Sequence, residues 1–411
     1  LFNTSDNNYV SWMWKKSSTS GMDIVTYTGT GSATTIAHSL GKAPDFIIVK
    51  ARSAAGDGAV YHSSNTSAPA TDYLLLDSTA ATADLDTYWN DTAPTASVFS
   101  VGTHANTNAS GVTYVAYLFA STTGFSKFGS YTGNGSADGP FVYTGFKPRY
   151  VTMKRTDSTG NWSVVDNARQ GYNDTSGNPV SYANRTNADA DVDTMEGQID
   201  ILSNGFKVRS NHSSFNASGA TVIYAAFAEQ PFQQSAQVSD VGALSIASST
   251  RFISGNSDYL SRTFSAGNRK TWTWSAWIKR GTLGITPVMF SAGSALTDSG
   301  FFSIEFSAAD KLNITTGATQ LRLTTAVFRD PAAWIHIVIK NDTTQSTAAD
   351  RLRVYINGVE ATAFDTNVNV AQNTDTAIDA AQEHDIGKRL NFGPQYNDGY
   401  MSDAYFIDGQ A

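Results

Sequence analysis

Glycoside hydrolysis needs two carboxyl groups facing each other across a cleft, one as acid and one as nucleophile or base. Glu305, inside the run Phe301 to Phe306 (FFSIEF), is a lone carboxylate with no evident partner, and the chain reads as a non-enzyme. Asp189, Asp191 and Asp193 (DADVD), followed by Glu196, place carboxylates at the alternate positions used by oxygen-ligand calcium loops. The glycine such a loop needs at its sixth position is missing, so the stretch reads as a solvated acidic loop. His38, His62, His104, His212, His336 and His384 are scattered without an i, i+4 pair or a triad-like setting. His336, close to Trp334 on one strand, reads as a packed core residue rather than a base. Trp272, Trp274 and Trp334 read as core, whereas Trp89 and Trp162 are the candidates for a sugar-stacking surface, with core filling as the competing role. Gly29-x-Gly31 and Gly133-x-Gly135 lie between strands and open no helix, so they are turns or bulges rather than phosphate loops.

Composition removes further chemistries. The chain has no cysteine, which excludes disulfides, thiolate metal sites and a cysteine nucleophile. Charged residues make up 16%, against roughly 25% in an average soluble domain; Ser, Thr, Asn, Gly and Ala take their place and leave a neutral, hydrogen-bonding surface. A net charge of −8, with no basic run longer than Lys15-Lys16, argues against nucleic acid as a partner. No apolar run approaches the roughly 20 residues that span a bilayer, so membrane insertion is not expected. The Asn-x-Ser/Thr triplets at Asn108, Asn161 and Asn216 follow from a composition rich in those residues.

The elements that position these residues are strands, and they come in copies. Tyr27 to Ser32 (YTGTGS) returns as Tyr131 to Ser136 (YTGNGS), Gly41, Pro44 and Lys50 return as Gly145, Pro148 and Lys154, and Asn108 to Ala120 returns as Asn216 to Ala228. The first half is therefore a tandem duplication of a β-sandwich module, repeat 1 over 21–126 and repeat 2 over 127–232. Strands are predicted at Asp23 to Tyr27, Phe46 to Lys50, Tyr73 to Leu76, Ser97 to Val101 and Thr113 to Phe119. In the second copy they fall at Phe141 to Tyr143, Tyr150 to Lys154, Trp162 to Asp166, Gly205 to Arg209 and Thr221 to Phe227. Tyr9 to Trp14 aligns with Tyr114 to Phe119, so residues 1–20 read as the closing strand of a preceding, missing unit or as an assembly strand donated to a neighbouring subunit. A polar linker is expected over 233–243.

A different module occupies 244–411. Trp272, Trp274, Ala276 and Ile278 alternate with Thr273, Ser275, Trp277 and Lys279, the period of a strand with one apolar face. Ala333 to Lys340 reads as a second, more deeply buried strand, and Arg351 to Ile356 runs to Asn357-Gly358, a type I′ turn dipeptide.

Phe252 to Leu260 (FISGNSDYL), Trp272 to Arg280 (WTWSAWIKR), Trp334 to Ile339, Tyr355 to Gly358 (YING), Ile386-Gly387 and Gly399 to Ile407 (GYMSDAYFI) resemble, in order, the laminin G-like, concanavalin A-like sandwich module. Arg329-Asp330-Pro331 and the ending Phe406 to Gln410 look like the form in bacteriophage virion proteins, and the repeats look like units of tail-fibre-like phage proteins. The resemblance implies an all-β chain of tandem β-sandwich modules followed by a concanavalin A-like jelly roll used for carbohydrate or protein recognition. It implies calcium at the sandwich rim, with Asn256, Asp258, Asn397 and Asp398 as candidate ligands; no cofactor is required. Glycosidases of this fold carry a Glu-x-Asp-x-(x)-Glu strand, and none exists here. The expected role is a non-enzymatic virion structural protein on a fibre, spike or capsid surface, binding host-surface glycan or protein. Its partners would be other virion subunits, in a homo-oligomer. A capsid decoration or cement protein and a polysaccharide depolymerase-like spike are the alternatives.

Overall fold

A computed structural model of the 411-residue chain describes residues 11–169, 173–174, 178–185, 198–229, 248–293, 295, 297, 299–389 and 395–411. The acidic run Asp189 to Glu196 and the expected linker lie outside the described residues. The described residues of 1–171 and 176–239 make one compact unit, and those of 172–175 and 240–411 make another.

In the first repeat Met22–Thr28, Thr113–Phe119, Phe46–Ala51, Ala59–His62, Asp72–Leu75 and Ala83–Asp84 form, in that order, an antiparallel six-stranded sheet. A two-stranded sheet of Thr34–Ala37 and Val98–Val101 covers one face. The second repeat pairs a five-stranded sheet, Val180–Tyr182, Ser163–Asp166, Pro148–Arg155, Thr221–Ala228 and Ser126–Thr132, with a three-stranded one of Phe141–Tyr143, Gly205–Val208 and Ile199–Leu202. Each copy is thus a small sandwich with its own core, around Ile47, Val49 and Phe99 in the first and Val151, Met153 and Phe206 in the second.

The same strands bury their other side chains too. Because successive strand residues point to opposite faces, Phe46 and Ile48 turn away from Ile47 and Val49 and enter a further core shared by both repeats. Met22, Phe46, Val60, Leu74 and Phe119 of the first copy meet Phe128, Trp162, Ile223, Ala225 and Phe227 of the second there. Hydrogen bonds cross it in both directions: the Trp162 Nε1–H donates to the Leu75 carbonyl at 2.8 Å and the His62 Nε2–H to the Tyr224 carbonyl at 3.1 Å. The two copies are packed face to face by their large sheets. Residues 11–16 pair as no strand within this chain, and the rest of the expected strand, Tyr9 and Val10, lies outside the described residues. Trp14 instead lies edge-on against Phe119, Tyr150 and Phe227, at 5.2–6.2 Å, and Trp12 against Tyr150 at 5.3 Å; an amphipathic indole has more to gain on this aromatic rim than in a solvated edge strand.

The repeated motifs have a structural cause. Buried Asn108 accepts from the Thr30 N–H and donates to the Ser32 and Gly102 carbonyls, and Asn216 does the same to Asn134, Ser136 and Ser210. The clamp holds the glycine loop so close that a Cβ on Gly29 would stand 2.2 Å from the Ala109 carbonyl oxygen, and one on Gly133 2.3 Å from that of Ala217. Both asparagines are thereby committed inside the fold.

The C-terminal unit is a two-layer sandwich. Thr250–Phe252, Gly399–Asp408, Thr271–Arg280, Trp334–Asp342, Leu352–Ile356 and Val359–Glu360 form a six-stranded antiparallel sheet. Leu260–Thr263, Glu383–Ile386, Val288–Gly293, Phe301–Phe306, Lys311–Thr316, Thr319–Val327 and Phe364–Asn367 form a seven-stranded one. Trp272, Trp274, Ile278, Phe302, Ile304 and Ile337 fill the space between. Asn357 and Gly358 both take positive φ, 51° and 81°, as the predicted turn requires.

Candidate functional site

The same alternation that buries Trp272, Trp274 and Ile278 turns Thr273, Ser275, Trp277 and Lys279 outward, and neighbouring strands continue these positions as rows. Trp277 stands between Ser402 and His336, Lys279 between Tyr400 and Trp334, and Ser275 between Tyr405 and Val338, beyond which lies Tyr355. The strand Gly399–Asp408 achieves this through a register shift opposite Ser275/Trp277, with Asp403 at φ 46°. The extra residue keeps both Met401 and Phe406 directed inward although an odd number of positions separates them.

The outer face of the six-stranded sheet therefore carries Trp277, Trp334, Tyr355 and Tyr400 half-buried and Tyr405 60% exposed. The Trp277 and His336 rings stack with centroids 4.8 Å apart at 21°. Burial of His336 holds its pKa below the usual imidazole value, which favours the neutral ring. Arg251 lies over Tyr400 at 5.6 Å, Lys279 stands among the aromatics between Tyr400 and Trp334, and Lys340 lies farther along, opposite Thr273. Flat aromatic rings with hydrogen-bonding tips, fixed on a sheet, suit stacking against an extended ligand with alternating apolar and hydroxylated surfaces. This corrects the assignment of Trp334 and His336 to the core: both share the outward parity of Trp277.

The two tryptophans proposed for stacking are enclosed. Trp89 is 2% exposed in the first repeat's core, edge-on to Tyr61, and Trp162 is 1% exposed between the repeats. Neither ring offers a face to a ligand, because the short helix Asp86–Trp89 tucks one inward and the second repeat's sheet face carries the other.

Glu305 lies on the outward parity of the seven-stranded sheet but is 2% exposed. Its carboxylate meets the Arg389 guanidinium at 3.0 Å and accepts from Asn313 Nδ2 at 2.9 Å; Gln320 bonds Asn313 in turn, and Thr366 bonds Gln320. Burial raises its pKa, opposed by Arg389. The contacts are those of a structural network.

The calcium candidates come from two loops that both pass Gly387. Asp258 turns its carboxylate back to the Ile253 N–H, Asn256 is exposed on a 3-10 turn, and Asn397 is buried with its N–H on the Gly387 carbonyl. The Asp398 carbonyl accepts from Gly281. Nearby, the Lys388 ammonium sits 3.9 Å over the Tyr259 ring and within 3.1 Å and 3.6 Å of Glu383 and Asp385, so a cation already serves these carboxylates. Among the described residues no three or more His, Asp or Glu side chains gather in a metal-holding group.

The histidines have structural employment as well. His104 and His212, one in each repeat, cap the short helices Ala105–Asn108 and Ser213–Asn216 by accepting a backbone N–H two residues on. His38 bonds the Thr95 carbonyl, and His384 stacks on Phe264 at 4.1 Å.

Comparison with known proteins follows the division into units. The family model of a domain of unknown function, DUF7483, matches residues 1–231, and that of the concanavalin A-like lectin/glucanases superfamily, Laminin_G_3, matches 254–409. Curated proteins give no match. Among solved structures, the native heptameric SAP-like pentraxin of Limulus polyphemus is 16% identical, over 36% of this chain and 68% of that one, with a TM-score of 0.27. The CBM40 of the Ruminococcus gnavus IT-sialidase, bound to α2,3 sialyllactose, is 12% identical over 36% and 89%, at 0.25. Tailspike protein 2 of bacteriophage CBA120 is 15% identical over 39% and 25%, at 0.29; the chain spans about a quarter of that structure. With the paired repeats matched over more than half of its length, the chain belongs to the DUF7483 family, and it carries a lectin-like concanavalin A-type jelly roll at its C-terminal end.

Proposed function

We propose that the chain is a non-catalytic recognition and display protein of a bacteriophage virion, and that its jelly roll binds a glycan chain along the outer face of the six-stranded sheet. The observation that carries the reading is the set of outward aromatics, Trp277, Trp334, Tyr355, Tyr400 and Tyr405, spread over three adjoining rows of one sheet face. Exposed aromatic clusters of this kind mark contact surfaces. The phage setting rests on the resemblance of the repeats and of the C-terminal ending to virion proteins. Affinity per site would be modest and would be raised by many copies on one particle. A non-catalytic role is supported by Glu305, whose carboxylate is buried and paired with Arg389.

Immunogold labelling of purified particles from the producing culture tests the location. Label at fibre or spike tips is the expected result. An even coat over the capsid, together with no glycan binding, would replace this reading with a cement protein, and absence of label would remove the virion assignment.

A further inference from the structure

The two repeats do not turn the same surface to each other. Repeat 1 contributes the strands Phe46–Ala51, Ala59–His62 and Asp72–Leu75, through Phe46, Val60, His62 and Leu74. Repeat 2 contributes Ser126–Thr132 and Thr221–Ala228, through Phe128, Ile223, Ala225 and Phe227. Such a contact is heterologous, and its repetition gives either a closed ring or an open array.

Residues 11–14 distinguish the two. Tyr9 to Trp14 aligns with Tyr114 to Phe119 and then with Val222 to Phe227, so Trp14, Phe119 and Phe227 are equivalent positions of three copies. Their rings all touch, with centroids 5.2, 5.7 and 6.2 Å apart. In an open array the second copy would separate the first from the third; mutual contact of all three marks a closed arrangement. The neighbouring contacts repeat in the same sense. Phe46 packs on Phe128 of the next copy at 5.9 Å, and its counterpart Tyr150 packs on Trp12 and Trp14 at 5.3 and 5.4 Å. Between these two tryptophans Met13 is 91% exposed, whereas its counterparts Leu118 and Ala226 are 0% exposed inside their own repeats. Met13 is a core residue without its core.

Repeat 1 shows the matching gap. Phe128, Ile223 and Ala225 of repeat 2 are 1–5% exposed in the shared core. Their counterparts in repeat 1 are Ile24, Val115 and Tyr117, with Ile24 opposite Tyr117 in the register that sets Phe128 opposite Ala225. Ile24 and Val115 are half-buried, and Tyr117 is 37% exposed.

We propose that the face formed by Ile24, Val115 and Tyr117 is the docking surface for a third β-sandwich repeat, the one to which Ser11–Trp14 belongs as closing strand and whose remainder precedes it in the natural polypeptide. The three repeats close a pseudo-three-fold ring around Trp14, Phe119 and Phe227. The incoming surface consists of the positions that repeat 1 turns to repeat 2, those of Phe46, Val60 and Leu74. A second copy of this chain fits less well, because its Phe46 is already covered by its own Phe128 and its Tyr150 by its own Trp12 and Trp14.

The chain has no cysteine, so a single introduced thiol reports on the surface. Tyr117→Cys tests the face, and Tyr143→Cys, at a position 65% exposed on the three-stranded sheet of repeat 2, serves as reference; both positions are exposed, so the variants are expected to fold. Thiol-modification rates are measured on this chain and on the polypeptide expressed from the complete gene. Tyr117→Cys should react readily in this chain and about tenfold or more slowly in the complete product, with Tyr143→Cys alike in both. Equal Tyr117→Cys rates in the two proteins overturn the proposal. Protection already present in this chain and lost on dilution would identify a second copy as the occupant and overturns it as well.

Discussion

Lys154 offers the sharpest test of the face-to-face pairing of the repeats. It is fully buried, and its Nζ donates only to carbonyls, that of Thr79 in the first repeat at 3.3 Å and that of Arg155 at 2.7 Å. Burial pushes the ammonium down from 10.5 to about 8, with the Arg155 charge assisting and Asp157 opposing. Below pH 8 the lysine is charged in both folded and unfolded chains, and the folded state carries the full penalty. Between 8 and 10.5 the unfolded chain binds more protons, so raising the pH favours folding. A displacement of about 2.5 pH units corresponds to about 3 kcal/mol. Lys154→Met removes the titration but also takes the ammonium donor from the Arg155 carbonyl, a loss of about 1–3 kcal/mol, while the Thr79 carbonyl keeps the Gly160 N–H at 2.9 Å. The informative quantity is therefore the difference between wild type and variant as a function of pH, in which all other titrations cancel. Urea unfolding of both proteins at steps from about pH 7 to 10.5 should show the wild type gaining about 3 kcal/mol relative to Lys154→Met. A flat difference would mean that Lys154 is solvated and that the repeats do not close over it.

Two further outcomes concern buried polar groups of the repeats. His62 is buried with its pKa lowered by desolvation to about 4, so between 6.5 and 4 the unfolded chain takes up a proton the folded one refuses; stability should fall by about 3 kcal/mol across that window, and His62→Gln, which keeps a donor toward Tyr224, should flatten the decline in an acid unfolding series. Asn108→Ala removes three buried hydrogen bonds from the glycine-loop clamp and should cost about 2–4 kcal/mol in urea unfolding, while Asn→Ala at the exposed Asn256 should cost less than about 0.5 kcal/mol.

Much of this architecture is written as alternation. The run Trp272 to Lys279 sorts into an inner and an outer set, and the outer set already contains Trp277; the same parity applied to Trp334, Ile335, His336 and Ile337 would have placed Trp334 and His336 outside. Hydrophobicity alone drew them inward, because it does not distinguish a tryptophan in a core from one on an open face. The closure of the repeats had a signal too, in Phe46-Ile47-Ile48-Val49, a continuous apolar run of the kind found in strands buried on both faces. Which surface covers the second face is a long-range fact, fixed by Trp162, Phe128 and Phe227 far along the chain. Four-residue helices such as Ala105–Asn108 and Ser213–Asn216 are too short to show a period, and their histidine caps escape the usual capping signature of Ser, Thr, Asp and Asn.

The measurement that bears most directly on the proposed role is retention of the full chain on immobilised surface polysaccharide from the host strain, compared with Trp277→Ala and Tyr405→Ala, whose side chains lie outside the core. The account predicts that the wild type is retained with the polysaccharide left at its original length, and that each variant loses binding by about tenfold or more, as expected when a central aromatic contact worth about 1.4 kcal/mol or more is removed. Equal retention of wild type and both variants would place recognition elsewhere, and shortening of the polysaccharide would contradict a non-catalytic protein.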